Sequence, residues 1–411
     1  MPSHPYEKSE ALFKRATTAI PGGIYGHISP IVNVPGSMPY YAERAEGCRY
    51  WDVDGNEYID FMCGYGPIIL GYQHEEVEAA AARQREKGDL FNHPTTLMVE
   101  LAEYLKEKID FADWAVFAKN GSDVTTWAIQ VAREATDCKK IVMVKGAYHG
   151  SAPWCTPGYG GLIEEDRIHV HLFEWNSIES LHRVIDRYRD QIAACIITPY
   201  HHPAFGESVL PEPGFLSGIQ QACNEQGISL ILDDIRAGFR LHPGGSHRSF
   251  DFEPDMACFS KAIANGYPLS AAVGRESLRN AASKVYLTGS YWHSAVSMAA
   301  ALACLSILER DQAPERLRSL GKQLMSGLEE RGAKYGYQVR RSGPPAIPFM
   351  VFDDDPDFFL QQRWCALSAR HGVFFHPHHN WFLSTAHTER DIEQALQAAE
   401  KAFSELHQAS E

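Results

Sequence analysis

Between residues 113 and 275, short apolar runs alternate with amphipathic segments, and this alternation constrains the fold more than any other feature of the chain. The amphipathic segments cover residues 124–135, 178–189 and 215–225. The apolar runs are WAVFA, KIVMV, AACIITP, ISLILDD, MACFS and SAAVG. Strands that alternate with helices in this way predict an α/β fold, in which helices cover both faces of a mostly parallel sheet.

The N-terminal part of the chain has a different pattern. Residues 9–19 are typical of an amphipathic helix. Residues 50–59 are typical of a hairpin, with Asp54 and Gly55 in its turn.

The C-terminal part begins with a long helix near residue 299. It continues through strands expected near 346–352 and 381–384, and it ends in a helix over 389–406 with apolar residues four positions apart. We therefore expect a large central domain over residues 60–298 and a smaller α+β domain built from residues 1–59 and 299–411.

The composition excludes several classes of protein. The 411-residue chain is 45% hydrophobic, but no apolar stretch approaches the roughly 20 residues that span a bilayer, and the N-terminus lacks a secretory pattern. A cytoplasmic protein without a membrane partner is expected.

The nine cysteines include no CxxC pair and no cluster with histidine at metal-ligand spacing, so no metal site is expected. With 52 acidic and 38 basic side chains the formal charge is −14, which disfavours nucleic acid as a partner and favours a cationic small-molecule substrate.

Two of the apolar runs end in side chains that can carry chemistry. The run at 228–232 is followed by Asp233 and Asp234, and the run at 256–259 leads to Lys261. If these runs are neighbouring parallel strands, the acid and the amine face one crevice at the edge where open α/β sheets bind ligands. Such a pair suits pyridoxal phosphate, because the lysine can form a Schiff base with the aldehyde and the carboxylate can keep the pyridine nitrogen protonated. A lysine after a strand would, without the carboxylate, be an ordinary structural amine.

Two glycine turns add features that a planar, phosphate-bearing cofactor needs. Residues 117–124 run from a strand through Gly121 and Ser122 into a helix, whose backbone amides, dipole and serine hydroxyl make an anion site. Residues 145–150 follow the next strand and place Tyr148 between two glycines, where its ring can lie flat against a planar ligand. Taken alone, the first motif is also typical of a simple turn and helix cap, and a lone tyrosine is more often a packing residue.

Several motifs spread over essentially the whole chain occur together in a specific order. They are IPGG, WDVDGNEYIDF, YGPIILGYQH, NGSD, GAYHG, LILDDIRAGFR, SKAIANGYPLSAAVG, YLTGSYWHSAVSMAAALACL and STAHTERDIEQAL. In this order and spacing the chain resembles the class III aminotransferases of fold type I, and it is most similar to the branch of glutamate-1-semialdehyde aminomutase. The resemblance implies the α/β fold of pyridoxal-phosphate-dependent transferases and an enzyme with that cofactor.

The resemblance also implies roles for four residues at the cofactor ring, of which Lys261, Asp233 and Tyr148 would be catalytic. Lys261 would be the Schiff-base lysine, and Asp233 would be the partner of the pyridine nitrogen. Tyr148 and Ile235 would hold the two faces of the ring.

Two pairs of residues would bind the cofactor phosphate if the resemblance holds. Gly121 and Ser122 match the phosphate loop of the family. Gly289 and Ser290 match a turn that reaches the phosphate of the neighbouring subunit. The resemblance therefore implies a homodimer with shared active sites.

The chain departs from this branch where a substrate should lie. Members that act on glutamate semialdehyde carry an arginine a few residues after the N-terminal PGG, and here that position is Ser29. The change removes a strong contact with a substrate carboxylate. Residues 198–200, Thr-Pro-Tyr, replace a Glu-Pro pair. The candidate substrate residues, which offer the aromatic faces and polar edges that suit sugars, are Tyr25, Tyr65, Tyr291, Trp292 and His293.

These departures favour a polyhydroxylated substrate that bears an amine. The chain is similar to the class III aminotransferases of aminoglycoside-antibiotic biosynthesis, which exchange an amine and a carbonyl on a sugar. We therefore expect transamination of an amino sugar, with Lys261 also acting as the base that moves the substrate proton. Three alternatives stay open: an epimerase of the amine-bearing carbon, an aminomutase of the glutamate-1-semialdehyde type, and a non-catalytic pyridoxal phosphate-binding protein. Whether Arg236 or Arg240 accepts the carboxylate of an amino donor also stays open.

Overall fold

The structure, a computed structural model, describes residues 6–26, 37–203 and 206–409, and these fall into two units. The first, which we call the sheet unit, comprises residues 75–204 and 208–315. The second, which we call the terminal unit, comprises residues 1–74, 205–207 and 316–411. Both boundaries lie later in the chain than the expected residues 60 and 299. The reason at the second boundary is that the helix from Ala295 to Arg310 packs against helices of the sheet unit.

The sheet unit is built around seven strands. They are β4 (Trp114–Ala118), β5 (Lys140–Val144), β6 (Val170–Phe173), β7 (Ile192–Ile197), β8 (Ser229–Asp233), β9 (Met256–Phe259) and β10 (Ser270–Gly274). They form one sheet in the order β4-β10-β9-β8-β7-β5-β6. Strands β5 to β9 pair in parallel, whereas β10 runs antiparallel to both of its neighbours. The predicted α/β fold with a mostly parallel sheet is confirmed.

Helices shield this sheet from water. They are α2 (Glu75–Lys87), α3 (Thr96–Lys108), α4 (Gly121–Thr136), α5 (Ile178–Arg187), α6 (Phe215–Gln226), α7 (Arg279–Lys284) and α8 (Ala295–Arg310). Every residue of β7, β8, β9 and β10 is buried, which explains why these strands are continuous apolar runs without alternation. Helix α4 contributes to the core through Trp127, whose ring meets Trp114 edge to face with centroids 5.9 Å apart.

The terminal unit has a four-stranded sheet and a separate hairpin. Its strands are β1 (Ala42–Glu46), β2 (Arg49–Asp52), β3 (Glu57–Asp60), β11 (Val339–Ser342), β12 (Phe349–Phe352) and β13 (Val373–Phe374), and its helices are α1 (Glu7–Ala19), α10 (Phe359–Arg370) and α11 (Glu389–Gln408). Helix α9 (Ala313–Lys334) begins at the unit boundary. The four-stranded sheet has the order β1-β2-β3-β13, and β11 pairs with β12. Helix α11 confirms the helix expected near the C-terminus.

The hairpin expected over residues 50–59 is confirmed by the antiparallel pairing of β2 and β3. Asp52 closes its turn, because its buried carboxylate accepts hydrogen bonds from the Asp54 amide (3.0 Å) and the Tyr58 hydroxyl (2.7 Å). Gly55 has a φ of 93°, a conformation that favours glycine at this position of the turn.

The expectation of a strand over residues 381–384 is wrong. The segment is buried, but its backbone bonds are isolated: Trp381 donates to the Pro348 carbonyl (2.8 Å) and Phe382 donates to the Phe61 carbonyl (2.7 Å). Its apolar character serves aromatic packing instead, since the rings of Trp381 and Phe375 lie 4.3 Å apart.

No helix within the described ranges combines the length and the apolar character that crossing a membrane requires. Those same ranges hold no group of three or more His, Cys, Asp or Glu side chains placed to bind a metal ion.

Candidate active site

The candidate lysine and carboxylate follow neighbouring strands of the sheet unit. Asp233 is the last residue of β8 and pairs in register with Cys258 of the parallel strand β9. Lys261 lies just beyond the end of β9, at the start of a 3-10 helix that ends at Ala264. The structure therefore brings both residues to the same edge of the sheet. Lys261 has a φ of 49°, a left-handed conformation that is rare outside glycine and is concentrated at functional positions.

The Asp233 carboxylate is held by two partners. His149 Nδ1 lies 2.8 Å from Asp233 Oδ2, and the backbone N–H of Ile235 donates to Oδ1 (3.2 Å). The position of His149 is fixed in turn, because its carbonyl accepts a hydrogen bond from the Thr125 hydroxyl (2.9 Å) and its ring stacks on Trp154. With Asp233 only 5% exposed, this arrangement fixes the direction of a buried carboxylate that can hold a proton on a ligand nitrogen.

Asp234, the other carboxylate of the pair, has a different environment. Its Oδ2 atom accepts a hydrogen bond from the backbone N–H of Ser246 (2.8 Å). Burial raises the pKa of Asp234 to about 7, and the charge of Asp233 adds to this effect, whereas the hydrogen bonds from Ser246 oppose it. The two adjacent carboxylates therefore have different hydrogen-bond partners: Asp233 bonds His149 and Asp234 bonds the Ser246 backbone.

The amine of Lys261 is shifted towards its neutral form. Burial lowers the pKa of Lys261 to about 7, with the positive charges of Arg236 and Arg240 acting in the same direction and Asp233 opposing them. An ordinary lysine, with a pKa near 10.4, is almost fully protonated at neutral pH. Lys261 therefore has a large neutral fraction there, and the neutral amine is the form that attacks an aldehyde.

The two glycine turns meet at the first turn of α4. Ser122 Oγ accepts a hydrogen bond from the backbone N–H of Ser151 (2.9 Å), and a Cβ atom on Gly150 would lie 2.4 Å from the same oxygen. A Cβ atom on Gly121 would lie 2.6 Å from Ile235 Cδ1. A larger residue at either position would force Ser122 or Ile235 to shift. The turns bring the helix N-terminus, a hydroxyl group and Ile235 together in a site suited to a phosphate.

The phenol of Tyr148 interacts electrostatically with the Asp233 carboxylate. Burial raises the pKa of Tyr148, with Cys155 and Asp233 adding to the rise and Arg236 opposing it. These interactions place the phenol within electrostatic reach of Asp233, while Ile235 packs on Gly121. That the two side chains hold opposite faces of one ring stays a prediction.

The chemistry of these side chains fits pyridoxal phosphate. The cofactor has a pyridine nitrogen, an aldehyde and a phosphate. The sheet edge offers a buried carboxylate at Asp233, an amine with a lowered pKa at Lys261, and the N-terminus of α4 with the Ser122 hydroxyl. Gly150 and Gly121 let Ser122 and Ile235 approach the backbone closely.

The predicted residues 289–293 form a turn before α8 in the sheet unit. The backbone N–H of Trp292 donates to the Gly289 carbonyl (3.2 Å), and Ser290 is exposed. Trp292 shares a surface cleft with Ser122, while Tyr291 is 59% exposed and His293 is partly buried. The reach of this turn to a neighbouring subunit stays a prediction.

The remaining candidate substrate residues belong to the terminal unit. Tyr25 is 80% exposed. The Tyr65 ring makes edge contacts with His376 and His379, with centroids 5.9 and 5.2 Å apart. Ser29 lies outside the described residues. The sequence-based interpretation missed His149 as the partner of Asp233, although His149 follows Tyr148 in the GAYHG motif.

The similarity of the chain to known proteins agrees with this chemistry. Residues 31–403 match the family model for class-III aminotransferases. The chain is 42% identical to aminopentol aminotransferase of Sphingopyxis macrogoltabida, over 97% of this chain and 94% of that protein. It is 31% identical to glutamate-1-semialdehyde 2,1-aminomutase of Chloroflexus aggregans, over 98% of each chain. The solved structure of the PLP internal aldimine form of the FumI protein of Sphingopyxis sp. MTA144 matches with a TM-score of 0.95 and 42% identity, covering 97% of this chain and 96% of that one. The chain belongs to the class-III aminotransferases, which are enzymes that depend on pyridoxal phosphate.

Proposed function

We propose that this aminotransferase removes the amino group from a polyhydroxylated primary amine and transfers it to a keto acceptor. The observation that carries the transamination is the pairing of a lysine amine of lowered pKa with a buried, histidine-bound carboxylate at one sheet edge. The substrate class is supported by the relative at 42% identity, whose name denotes an alcohol with several hydroxyl groups and an amine. The amino sugar expected from the sequence belongs to the same chemical class.

We assign the chemical steps to three residues. Bound pyridoxal phosphate supplies an electron sink for the carbon that loses its proton. Lys261 would hold the aldehyde of the cofactor, and its amine would be the base that takes the proton from the amine-bearing carbon of the substrate. Asp233, oriented by His149, holds the proton on the pyridine nitrogen, and this proton is what gives the ring its electron-withdrawing power.

The other assigned residues position the cofactor. Tyr148 and Ile235 hold the ring between them, and Gly121 with Ser122 binds the phosphate at the start of α4. These assignments are supported by the close approach of Ile235 to Gly121 and by the hydrogen bond between Ser122 and the backbone of Ser151.

The absence of an arginine at Ser29 supports a substrate without a carboxylate beside its amine. A charge-assisted contact of this kind contributes about 1.5–3 kcal/mol, so its loss weakens carboxylate binding by about tenfold to a hundredfold. The formal charge of −14 attracts a cationic amine from solution. Tyr25, Tyr65, Tyr291, Trp292 and His293 are the side chains we propose for contact with the substrate.

We also propose that the active enzyme is a homodimer in which Gly289 and Ser290 contact the phosphate in the partner's site. The exposed position of Ser290, in a turn whose Trp292 shares a cleft with Ser122, supports this proposal.

The substrate proposal can be tested in the absence of any acceptor. Purified enzyme loaded with pyridoxal phosphate is mixed with one amine at a time, and the loss of aldehyde absorbance is followed. The amines are an aminated polyol, an amino sugar, a simple alkyl amine of equal length, and glutamate-1-semialdehyde. Hydroxyl-bearing amines should react at concentrations about tenfold or more below those of the alkyl amine, because each buried hydroxyl group adds a hydrogen bond.

Two outcomes would contradict this proposal. Preferential reaction with glutamate-1-semialdehyde would show an aminomutase-type pocket. Exchange of the substrate proton with solvent deuterium, without any loss of aldehyde absorbance, would identify an epimerase.

A further inference from the structure

The sheet unit contains a cavity of about 240 Å³ to which the proposed steps assign no ligand. Its wall comes from α2 and the turn after it, from the residue that follows β4, from the loop after Lys261 and from the start of α8. The polar side chains of this wall include Arg85, Asp89, Lys119, Tyr267, Tyr291 and Ser294.

The cavity borders two elements that we assign to the cofactor. Lys119 lies two positions before Gly121 of the phosphate loop. The backbone N–H of Tyr267 donates to the Ala264 carbonyl (3.1 Å), at the end of the 3-10 helix that begins at Lys261. A small molecule in this cavity would therefore lie beside the elements that carry the phosphate loop and the Schiff-base lysine.

The carboxylate in the wall of the cavity is already bound. Asp89 Oδ1 accepts hydrogen bonds from the Ser294 hydroxyl (2.7 Å) and the Val296 backbone N–H (3.0 Å). It thus lies at the N-terminus of α8, where the helix dipole offsets its negative charge. The carboxylate of Glu78 is engaged as well, because it accepts a hydrogen bond from the Tyr267 hydroxyl (2.7 Å).

The two basic side chains in the wall have no such partner. Within the described ranges neither Arg85 nor Lys119 forms an ion pair, whereas Lys108 and Lys284 of the same unit pair with glutamates at 2.8 and 3.0 Å. The ammonium group of Lys119, a partly buried residue, lies 5.5 Å from the centroid of the Tyr291 ring. This cation–π contact holds the ammonium group at the cavity and leaves N–H donors for an anion.

We propose that Lys119, helped by Arg85 of the same cavity, binds the carboxylate of a keto acid that accepts the amino group. This inference rests on the transamination proposed above and adds to it the residues that select the acceptor. Ser29 stands where related aminomutases carry an arginine for a carboxylate, so a carboxylate needs another cation in this chain. The cavity is smaller than the roughly 300–1,000 Å³ of sites for drug-sized ligands, which suits a keto acid of a few heavy atoms.

The test follows the acceptor half of the reaction alone. Apoenzyme is loaded directly with pyridoxamine phosphate, so that the amine substrate plays no part. The recovery of aldehyde absorbance is then followed with pyruvate or with acetaldehyde, in which a hydrogen replaces the carboxylate.

Lys119→Met should raise the pyruvate concentration that gives half the maximal rate by about tenfold to a hundredfold, the range expected for one charge-assisted contact. The corresponding concentration of acetaldehyde should change by about twofold or less, because acetaldehyde has no carboxylate. Lys119→Arg retains the charge and should recover part of the loss.

Two further variants make the comparison specific. Arg85→Met should raise the half-maximal pyruvate concentration by about twofold to fivefold, since Arg85 is exposed and exposed charge pairs contribute less. It carries the test if Lys119→Met does not fold. Lys106→Met removes an exposed lysine of α3 and should behave like the wild type with both acceptors.

The results separate this inference from the proposed function. An equal effect of Lys119→Met on pyruvate and acetaldehyde, or no effect on either, would overturn the inference, and so would a wild-type pyridoxamine form that does not react with pyruvate. Weaker binding of pyridoxamine phosphate with unchanged use of pyruvate would assign Lys119 to the cofactor phosphate instead. If the expected pattern is found but no hydroxyl-bearing amine converts the aldehyde form, the proposed amine substrate is wrong and the acceptor site stands.

Discussion

His149 Nδ1 lies 2.8 Å from Asp233 Oδ2, and both side chains are almost completely buried. Because the imidazole orients the carboxylate, His149→Phe should lower kcat by about tenfold to a hundredfold and change KM little. Losses of this size are typical at metal sites when the residue that orients a ligand is removed. His149→Asn, which can still donate a hydrogen bond, should recover part of the loss. The exposed His182 provides the control, since His182→Phe should retain the wild-type kcat. If His149→Phe, His149→Asn and His182→Phe are equally active, His149 does not orient the Asp233 carboxylate for catalysis.

The two neighbouring carboxylates should respond differently to the same change. Asp233→Asn removes the charge that holds the pyridine proton, so kcat should fall by about a hundredfold or more. Asp234 bonds the Ser246 backbone, and the oxygen of an asparagine side chain can accept the same hydrogen bond, so Asp234→Asn should leave kcat close to the wild-type value. Steady-state kinetics and thermal unfolding of both variants check this prediction. A large loss of kcat in Asp234→Asn with a small loss in Asp233→Asn would assign the pyridine contact to Asp234.

The sequence was sufficient to predict the sheet and the approach of Lys261 to Asp233, because both depend on local patterns. Buried parallel strands are continuous apolar runs, and the residues after neighbouring strands share one edge. The sequence did not identify the partner of Asp233, because the GAYHG motif does not show whether Tyr148 or His149 turns its side chain towards the carboxylate. Residues 381–384 look like a strand because aromatic packing and strand pairing select the same residue types.

The rate of cofactor binding should depend on pH through Lys261. Burial lowers the pKa of this amine in the apoenzyme to about 7, so its neutral fraction rises as the pH increases through that value. Only the neutral amine attacks an aldehyde. The rate at which apoenzyme recovers aldehyde-bound absorbance should therefore rise about tenfold from pH 6 to pH 7.5 and then level off. A rate of cofactor binding that keeps rising to pH 10 would show that the pKa of Lys261 is not lowered.

The shared active site can be tested at Ser290. Ser290→Ala removes the hydroxyl that we assign to the partner's phosphate, so affinity for pyridoxal phosphate should fall by about tenfold. Ser283→Ala, at an exposed serine of α7, should not change this affinity. Sedimentation should show that the active species is a dimer, and dilution to the monomer should release the cofactor. A fully active monomer would contradict the dimer proposal.

The central claim is that Lys261 holds the cofactor, and reduction of the loaded enzyme with borohydride tests it most directly. Reduction makes the bond between the lysine and the cofactor permanent, and mass spectrometry of the digest then locates the modified residue. Lys145, which follows β5 and is exposed, offers a matched control. We expect the label on Lys261 in the wild type and in Lys145→Ala, and no label in a folded Lys261→Ala variant. A label on Lys145, Lys119 or any other lysine, with Lys261 unmodified, would contradict the account.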